Sequence, residues 1–305
     1  MIDTANESCT LAVMEIERFA IHDGPGIRTV VFLQGCPLRC GWCSNPESQQ
    51  IRTQLMHINS RCTGCGTCAN NCPHANIRME NGRPVFDRDK CITCKSCAEA
   101  CLQNAIRFAG EALSVQDIMQ VVLRDKAYYE QSGGGITVSG GEPFVQFSGL
   151  MRLLESCKKE GLHTAIETTG QVNPEKIKKA APLTDLFLYD IKHTDKALLK
   201  KETQADLQTI LSNLSYLSGY PEKVVIRIPV IPGFNFNPKD IQSIFNLAKE
   251  KGLTTIHLLP YHTLGKDKYE QLGLKYTYPH EQMLTKEQLS PFKKMGEAMG
   301  LNIQT

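Results

Sequence analysis

The sequence predicts an α/β protein, an incomplete (β/α)6 barrel that carries a small cysteine-rich insert. Three observations predict it. Apolar, β-branched runs alternate with helical stretches from Ser114 onward, the pattern of a parallel sheet covered by helices. Together with the run Thr29-Val30-Val31-Phe32-Leu33 they make six units, too few to close an eight-stranded barrel. Eleven of the 13 cysteines fall into three tight groups between positions 36 and 101, where the chain changes character. The expected division is a barrel over 1–52 and 109–305, interrupted by an insert over 53–108.

Taken in order, the stretch from Met1 to Thr10 is polar and lacks the basic-then-apolar pattern of an export signal. Asp23-Gly24-Pro25-Gly26 reads as a turn, with His22 beside it as an ordinary surface histidine. The strand at Thr29–Leu33 leads into Cys36, Cys40 and Cys43, and the insert follows. Ser114-Val115-Gln116-Asp117 caps a helix expected to run to about Tyr129. Gly133-Gly134-Gly135 then opens a short strand, Ile136-Thr137-Val138-Ser139, followed by a helix from about Phe147 to Glu160. Later strands are expected at 164–167, 186–191, 224–229 and 255–260. Pro174 suits the first turn of a short helix. Further helices are expected around Leu207 to Leu217 and Lys239 to Lys251.

A formal charge of +2 with no basic block excludes nucleic acid as an evident partner. No apolar run approaches the roughly 20 residues of a membrane span, so no membrane partner is expected. Without an export signal, grouped cysteines mean metal in a reducing compartment, and the expected location is the cytoplasm. Cys9 and Cys157 lie outside the groups and read as bystanders.

The first group, Cys36-Pro37-Leu38-Arg39-Cys40-Gly41-Trp42-Cys43, is C-x3-C-x2-C. Thiolate is the soft ligand that iron–sulfur clusters require, and three of them hold three irons of a cubane while leaving the fourth open. The competing reading is a structural zinc loop, which needs a fourth protein ligand that no nearby Cys or His is spaced to supply. The other groups, Cys62, Cys65, Cys68, Cys72 with Pro73 and Cys91, Cys94, Cys97, Cys101, repeat C-x2-C-x2-C-x3-C. This tandem resembles the bacterial ferredoxin pattern for two [4Fe–4S] clusters, with zinc knuckles as the alternative. In that pattern each fourth cysteine serves the other cluster. One set would be Cys62, Cys65, Cys68 and Cys101; the other would be Cys91, Cys94, Cys97 and Cys72. Leu102 stands where the second run usually has proline.

Polar residues sit at the matching ends of the strands: Ser139-Gly140-Gly141-Glu142-Pro143, Glu167-Thr168-Thr169-Gly170, Asp190-Ile191-Lys192, Arg227 and Tyr261-His262. Any one of them fits a surface ion pair, but charge at the same end of five successive strands points to one shared polar site. In βα architectures that end is where sites are built.

With Trp42 before its last cysteine, the first group resembles the C-x3-C-x-(aromatic)-C signature of radical S-adenosylmethionine (SAM) enzymes. The H-D-G-P-G-I-R, S-G-G-E-P, D-I-K, I-R-I-P-V-I-P-G-F-N and L-L-P-Y-H-T-L-G-K-D-K-Y stretches resemble, in order, the motifs of glycyl radical enzyme activating enzymes. The insert is similar to that of the subfamily serving dehydratases, decarboxylases and C–N or C–S lyases, which the pyruvate formate-lyase activator lacks. The resemblance implies an open barrel with three [4Fe–4S] clusters and SAM. It implies Cys36, Cys40, Cys43 and Lys192 as catalytic residues. Gly140, Gly141 and Glu142 are implied at the methionyl amino group, and Trp42, Cys43, Ser44, Glu167, Asp190, Ile191, Lys192, Arg227 and His262 around the same cofactor. The longer Glu167 replaces an aspartate of the formate-lyase activator. The implied partners are a glycyl radical enzyme and, as electron donor, flavodoxin or ferredoxin, with the chain itself a monomer. Two other readings are a radical SAM enzyme acting on a small molecule and a plain iron–sulfur electron carrier. A cluster that responds to SAM excludes the second, and turnover of a metabolite without a protein partner marks the first.

Overall fold

Short apolar runs cannot satisfy their own backbone N–H and C=O groups, so they pair side by side. In the computed structural model, which describes residues 10–305, nine strands form one sheet. Cys9 lies outside the described residues. The chain begins with β1 (Thr10–Ala20), turns through 21–27, and continues antiparallel as β2 (Arg28–Leu33). The cysteine-rich unit follows as β3 (Gln54–His57), α1 (Thr67–Asn70), β4 (Ile77–Glu80), β5 (Arg83–Phe86), α2 (Ser96–Glu99) and β6 (Ile106–Ala109). A short β7 (Glu111–Ser114) returns to pair with β1, and α3 (Val115–Leu123) and α4 (Lys126–Ser132) lead back to the sheet. The alternation is then β8 (Gly135–Gly140), α5 (Phe147–Lys159), β9 (His163–Thr168), α6 (Pro174–Ala180), β10 (Leu186–Asp190), α7 (Lys196–Thr203), α8 (Leu207–Leu217), β11 (Val224–Val230), α9 (Pro238–Glu250) and β12 (Thr255–Pro260). The chain ends with α10 (Lys266–Gln271), α11 (Lys286–Ala298) and β13 (Asn302–Gln304).

The strand order is β13-β12-β11-β10-β9-β8-β2-β1-β7, with β2 and β8 to β13 parallel. The six expected strands are β2 and β8 to β12. Three more were not anticipated. β13 has three residues, too few for a periodic signal, and β1 alternates only over Leu11 and Val13 before Glu15, Glu17 and Arg18 take its outer half. The helix expected from Ser114 to Tyr129 starts with its capping box but breaks at Asp125. There the carboxylate turns inward to accept from Arg18 Nε at 2.8 Å and Thr29 Oγ1 at 3.1 Å, so it cannot serve the next helix as a cap. α5 shows why the helices dock: Leu150, Leu153, Leu154 and Cys157 lie on one face and are buried, a large apolar side chain so placed contributing about 1.5–3 kcal/mol.

The cysteine-rich unit repeats itself after a shift of 29 residues, from Cys62 to Cys91 and from α1 to α2. Left-handed backbone falls at Gly64 and Gly66 in the first half and at Thr93 and Lys95 in the second. Cys72 Sγ accepts from Asn76 N at 3.3 Å, and Cys101 Sγ from Ala105 N at 3.3 Å. Leu102 leaves this turn unchanged: it points into solvent, and Asn104 takes the left-handed conformation that Ala75 takes in the first half. The unit has its own apolar centre of Leu55, Ile77 and Ile106 around Cys68 and Cys97, and Met56 and Ala109 rest on Leu272 beyond α10.

Candidate active site

The three cysteines lie in the loop that leaves the C-terminal end of β2. Gly35 N donates to Ser48 O at 2.6 Å, Cys36 N to Gln49 O at 3.3 Å and Arg39 N to Thr203 O at 2.9 Å, so the loop is pinned at both ends and in the middle. Trp42 is buried between Phe234 and Tyr278, with ring centroids 4.7 and 5.4 Å away. Its ring therefore wedges the loop, and the polar face of this segment is backbone. Gly265 comes so close to Ser44 that a Cβ there would fall 2.6 Å from the Ser44 Cα. Burial pushes the Cys36 and Cys40 thiols up to about 12 and raises that of Cys43, with the Lys192 charge working in the opposite direction. Metal binding requires such thiols to lose their protons.

At the ends of β8 and β9 the glycines are forced by contact. A Cβ on Gly140 would lie 2.3 Å from Leu33 O, and one on Gly141 would lie 2.3 Å from Gly35 O. Glu142 is buried, and its carboxylate accepts from Thr168 Oγ1 at 2.9 Å, Thr169 N at 2.9 Å and Thr169 Oγ1 at 2.6 Å. Burial pushes its pKa up to about 7 even so. Protein donors thus occupy this carboxylate, which joins β8 to β9; what the Gly140–Glu142 stretch offers a ligand is backbone.

Glu167 accepts from Ser139 Oγ at 2.5 Å and pairs with Arg227 at 3.1 Å. Burial raises its pKa, with Arg227 opposing and the charges of Asp190 and Asp23 adding to the rise. Arg227 also reaches Asp23 at 3.5 Å, across 204 residues of sequence. Asp190 ends β10 and Lys192 lies two residues beyond it in the loop, and the two meet there, Oδ2 to Nζ 2.6 Å. Burial disfavours the Lys192 ammonium, yet Asp190 and the thiols of Cys40 and Cys36 outweigh it, so its pKa is raised. Between them Ile191 points into the core, and its N–H donates to Arg227 O at 2.9 Å. His262 stands exposed after β12, while its neighbour Tyr261 is buried.

The structure therefore gathers the cysteine loop, Lys192, Asp190, Glu167 and Arg227 at one end of the sheet, and leaves His262 at the rim. Sequence reasoning missed Asp23, which the 21–27 turn carries to Arg227. It also missed Asn235, whose Nδ2 donates to Lys192 O and Pro229 O at 2.8 Å each while Oδ1 accepts from Ile231 N at 2.7 Å. A third omission is Lys268, which pairs at 2.6 Å with the buried Glu47 and fastens α10 to the cysteine loop.

In the cysteine-rich unit Cys68 feels both Cys62 and Cys101, and Cys72 lines one small cavity with Cys91, Cys94 and Cys97. Among the described residues no three His, Cys, Asp or Glu side chains stand together as ligands of one ion. A cubane asks instead for thiolates that each take their own iron, and the cysteines of this unit are free thiols.

Residues 30–248 match the family model of the Radical SAM superfamily. The chain is 40% identical over 279 residues to a (2S)-3-sulfopropanediol dehydratase activating enzyme of Klebsiella oxytoca, covering 89% of this chain and 88% of that one. It is 38% identical over 293 residues to a trans-4-hydroxy-L-proline dehydratase activating enzyme of Clostridioides difficile, covering 95% and 97%. The chain belongs to the radical SAM superfamily, among the activating enzymes of glycyl radical enzymes. An isethionate sulfite-lyase activating enzyme of Desulfovibrio desulfuricans is 41% identical over 268 residues, 86% of each chain. The radical SAM fold also recurs in the crystal structure of Streptococcus suis SuiB bound to precursor peptide SuiA. That likeness has a TM-score of 0.55 at 13% identity and covers 90% of this chain and 48% of that one. As a radical SAM protein the chain takes a [4Fe–4S] cluster and SAM, and the Cys36, Cys40 and Cys43 thiols fit three of the irons.

Proposed function

We propose that this protein installs the glycyl radical of a partner enzyme that is a dehydratase, a decarboxylase or a C–N or C–S lyase. The observation that carries the reading is the meeting of three half-buried thiols with the Asp190–Lys192 pair at the C-terminal end of a parallel sheet. The names of the relatives at about 40% identity give the range of partners. The sheet is read as an open (β/α)6 barrel, and 53–108 as a ferredoxin-like insert with two further [4Fe–4S] clusters, held by Cys62, Cys65, Cys68 and Cys101 and by Cys72, Cys91, Cys94 and Cys97.

Held by Cys36, Cys40 and Cys43, the reduced cluster would supply one electron to the sulfonium of bound SAM, which would break its bond to the 5′ carbon to give methionine and an adenosyl radical that takes a glycine Cα hydrogen atom and leaves as 5′-deoxyadenosine. The chain binds, orients and excludes water. Lys192 offers its ammonium to the cofactor's carboxylate or ribose, and Asp190 keeps it charged and aimed. The backbone of Gly140, Gly141 and Trp42-Cys43-Ser44 offers N–H and C=O groups to its amino and adenosyl parts. Glu167 and Arg227 close the interior of the sheet beneath it, and Asp23 seals that side from the 21–27 turn. Electrons come from flavodoxin or ferredoxin, and the protein works as a monomer in the cytoplasm, where reducing conditions keep the ligand thiols free. No helix of the described residues is long and apolar enough to cross a membrane.

Anaerobically reconstituted protein should carry about twelve irons and twelve sulfides per chain. Replacing Cys36, Cys40 and Cys43 by alanine should remove about four irons. The same variant should lose all SAM cleavage and form no glycyl radical signal in an added partner. Cleavage unchanged in that variant refutes the reading.

A further inference from the structure

A second cavity, an open crevice, lies where the cysteine-rich unit meets the segment after the cysteine loop and the residues that follow α10. It is lined by the segment after the cysteine loop, including Gln49 and Arg52, by Arg88 and Cys91 of the cysteine-rich unit, and by Leu272. Cys91 also lines the cavity that holds Cys72, Cys94 and Cys97, so it stands between the two spaces. None of Cys62, Cys65, Cys68 and Cys101 lines the crevice. Gln49 is part of the cysteine loop's own scaffold: its carbonyl accepts from Cys36 N, and its side chain hydrogen-bonds Cys43.

A continuous bridge of contacts runs beside the crevice. Arg88, three residues before Cys91, donates to Gln271 O at 3.0 Å and so clamps the second half of the unit to the end of α10. One turn earlier, Lys268 of α10 holds Glu47 at 2.6 Å and Asn45 Oδ1 at 2.8 Å, in the stretch that follows Cys43. The first half of the unit has ties of its own, Asn59 Nδ2 to Glu270 Oε1 at 2.6 Å and Gln54 Nε2 to Glu47 O at 2.7 Å, but it places no cysteine on the crevice. The repeated halves are therefore unequal in their relation to the rest of the protein.

From this we infer that the two halves are ranked as electron sites. The set Cys72, Cys91, Cys94 and Cys97 is the inner site, facing Cys43 across the crevice through Gln49, and the set Cys62, Cys65, Cys68 and Cys101 is the outer one. The inference rests on the three-cluster reading above. The transfer is one electron: the inner cluster is oxidised by one, the cluster on Cys36, Cys40 and Cys43 is reduced by one, and no bond or proton moves. The electron originates from an external one-electron reductant, for which dithionite serves as the probe.

The test uses the reconstituted full chain and the exposed, symmetry-related cysteines Cys65 and Cys94. In the fully reduced protein, neighbouring paramagnetic clusters broaden and speed the relaxation of each other's electron paramagnetic resonance signals. Adding SAM marks the signal that belongs to Cys36, Cys40 and Cys43. Its coupling to a neighbour should persist in Cys65→Ala and disappear in Cys94→Ala. The opposite pattern, persistence in both or loss in both overturns the ranking. Should an alanine variant lose irons from both sets, Cys65→Ser and Cys94→Ser retain an oxygen ligand and change one cluster's potential. SAM binding should then shift the potential altered by Cys94→Ser and leave that altered by Cys65→Ser in place; a reversed, equal or absent response overturns the ranking. If no signal responds to SAM while iron remains bound, the underlying reading fails, and the two failures are thereby told apart.

Discussion

Lys192 shows how much a single side chain is asked to do. Its ammonium sits 2.6 Å from Asp190 in a buried setting that also contains the thiols of Cys36 and Cys40. A charge-assisted hydrogen bond from such a group is worth roughly 1.5–3 kcal/mol, a tenfold to hundredfold change in affinity. Lys192→Ala should weaken SAM binding by about that factor with iron content intact, and an affinity within about twofold of wild type would reduce the pair to a surface-like contact worth ~0–1 kcal/mol. Asn235→Ala should weaken binding in the same direction but less, because the ammonium remains while its backbone carbonyl loses a fixed donor. Titrating SAM into both variants and counting irons separates binding from cluster loss. At this scale the sequence was legible where charged residues two apart fall at a strand end, as for Asp190 and Lys192, although β10 stops at Asp190 and the loop beyond it completes the pair. Asp23 was not, because its meeting with Arg227 spans 204 residues and only the closed fold brings them together. Glu142 was legible as a charge at a strand end, while its contacts were not: nothing in Gly-Gly-Glu says that Thr168 and Thr169, at the end of the next strand, will take its carboxylate.

Elements carry a different kind of information. Strands β2 and β8 to β12 announce themselves by apolar, β-branched runs, and α5, α8 and α9 by a single apolar face. β1, β7 and β13 are edge or near-edge strands whose partners, not their composition, make them strands. The joint between β8 and β9 yields a pH prediction. Glu142 has its pKa pushed up to about 7, above the ordinary 4.5, so the folded protein holds its extra proton between those values. The stability that this group contributes is full below about 4.5 and is lost as pH rises through about 7, a term of about 3 kcal/mol at most. Glu142→Gln abolishes the titration while keeping an acceptor for Thr168 and Thr169. As pH is raised from 4.5 to 7.5, the melting temperature of wild type should fall relative to that of the variant. A constant difference across that range, in anaerobic melts of reconstituted protein, would show that Glu142 stays ionised throughout.

On the scale of the whole molecule, the chain reads as one sheet into which a second unit has been spliced. Cysteine spacing made an insert over 53–108 the expectation, and to that extent the unit was legible, because ligand sets are local in sequence. How the unit docks was not, since the contacts that hold it come from α10, more than 150 residues further on: Arg88 and Arg107 reach Gln271, at separations of 183 and 164 residues, and Leu272 meets Met56 and Ala109. The splice points are adjacent in space. Gln54 pairs with Ala109 across the β3–β6 ladder, which sets their Cα atoms about 5 Å apart. A short Gly-Ser linker in place of residues 54–109 should therefore leave the nine-stranded sheet intact, provided that Leu272→Ser removes the apolar side chain left bare. The shortened protein should keep about four irons, those of Cys36, Cys40 and Cys43, and should still bind SAM. With dithionite it should cleave SAM, whereas with flavodoxin or ferredoxin as donor cleavage should fall sharply, because the route across the crevice is gone. Equal loss with both reductants would mean that the unit serves to hold α10 and the cysteine loop in place, through Lys268 and Glu47, and not to carry electrons.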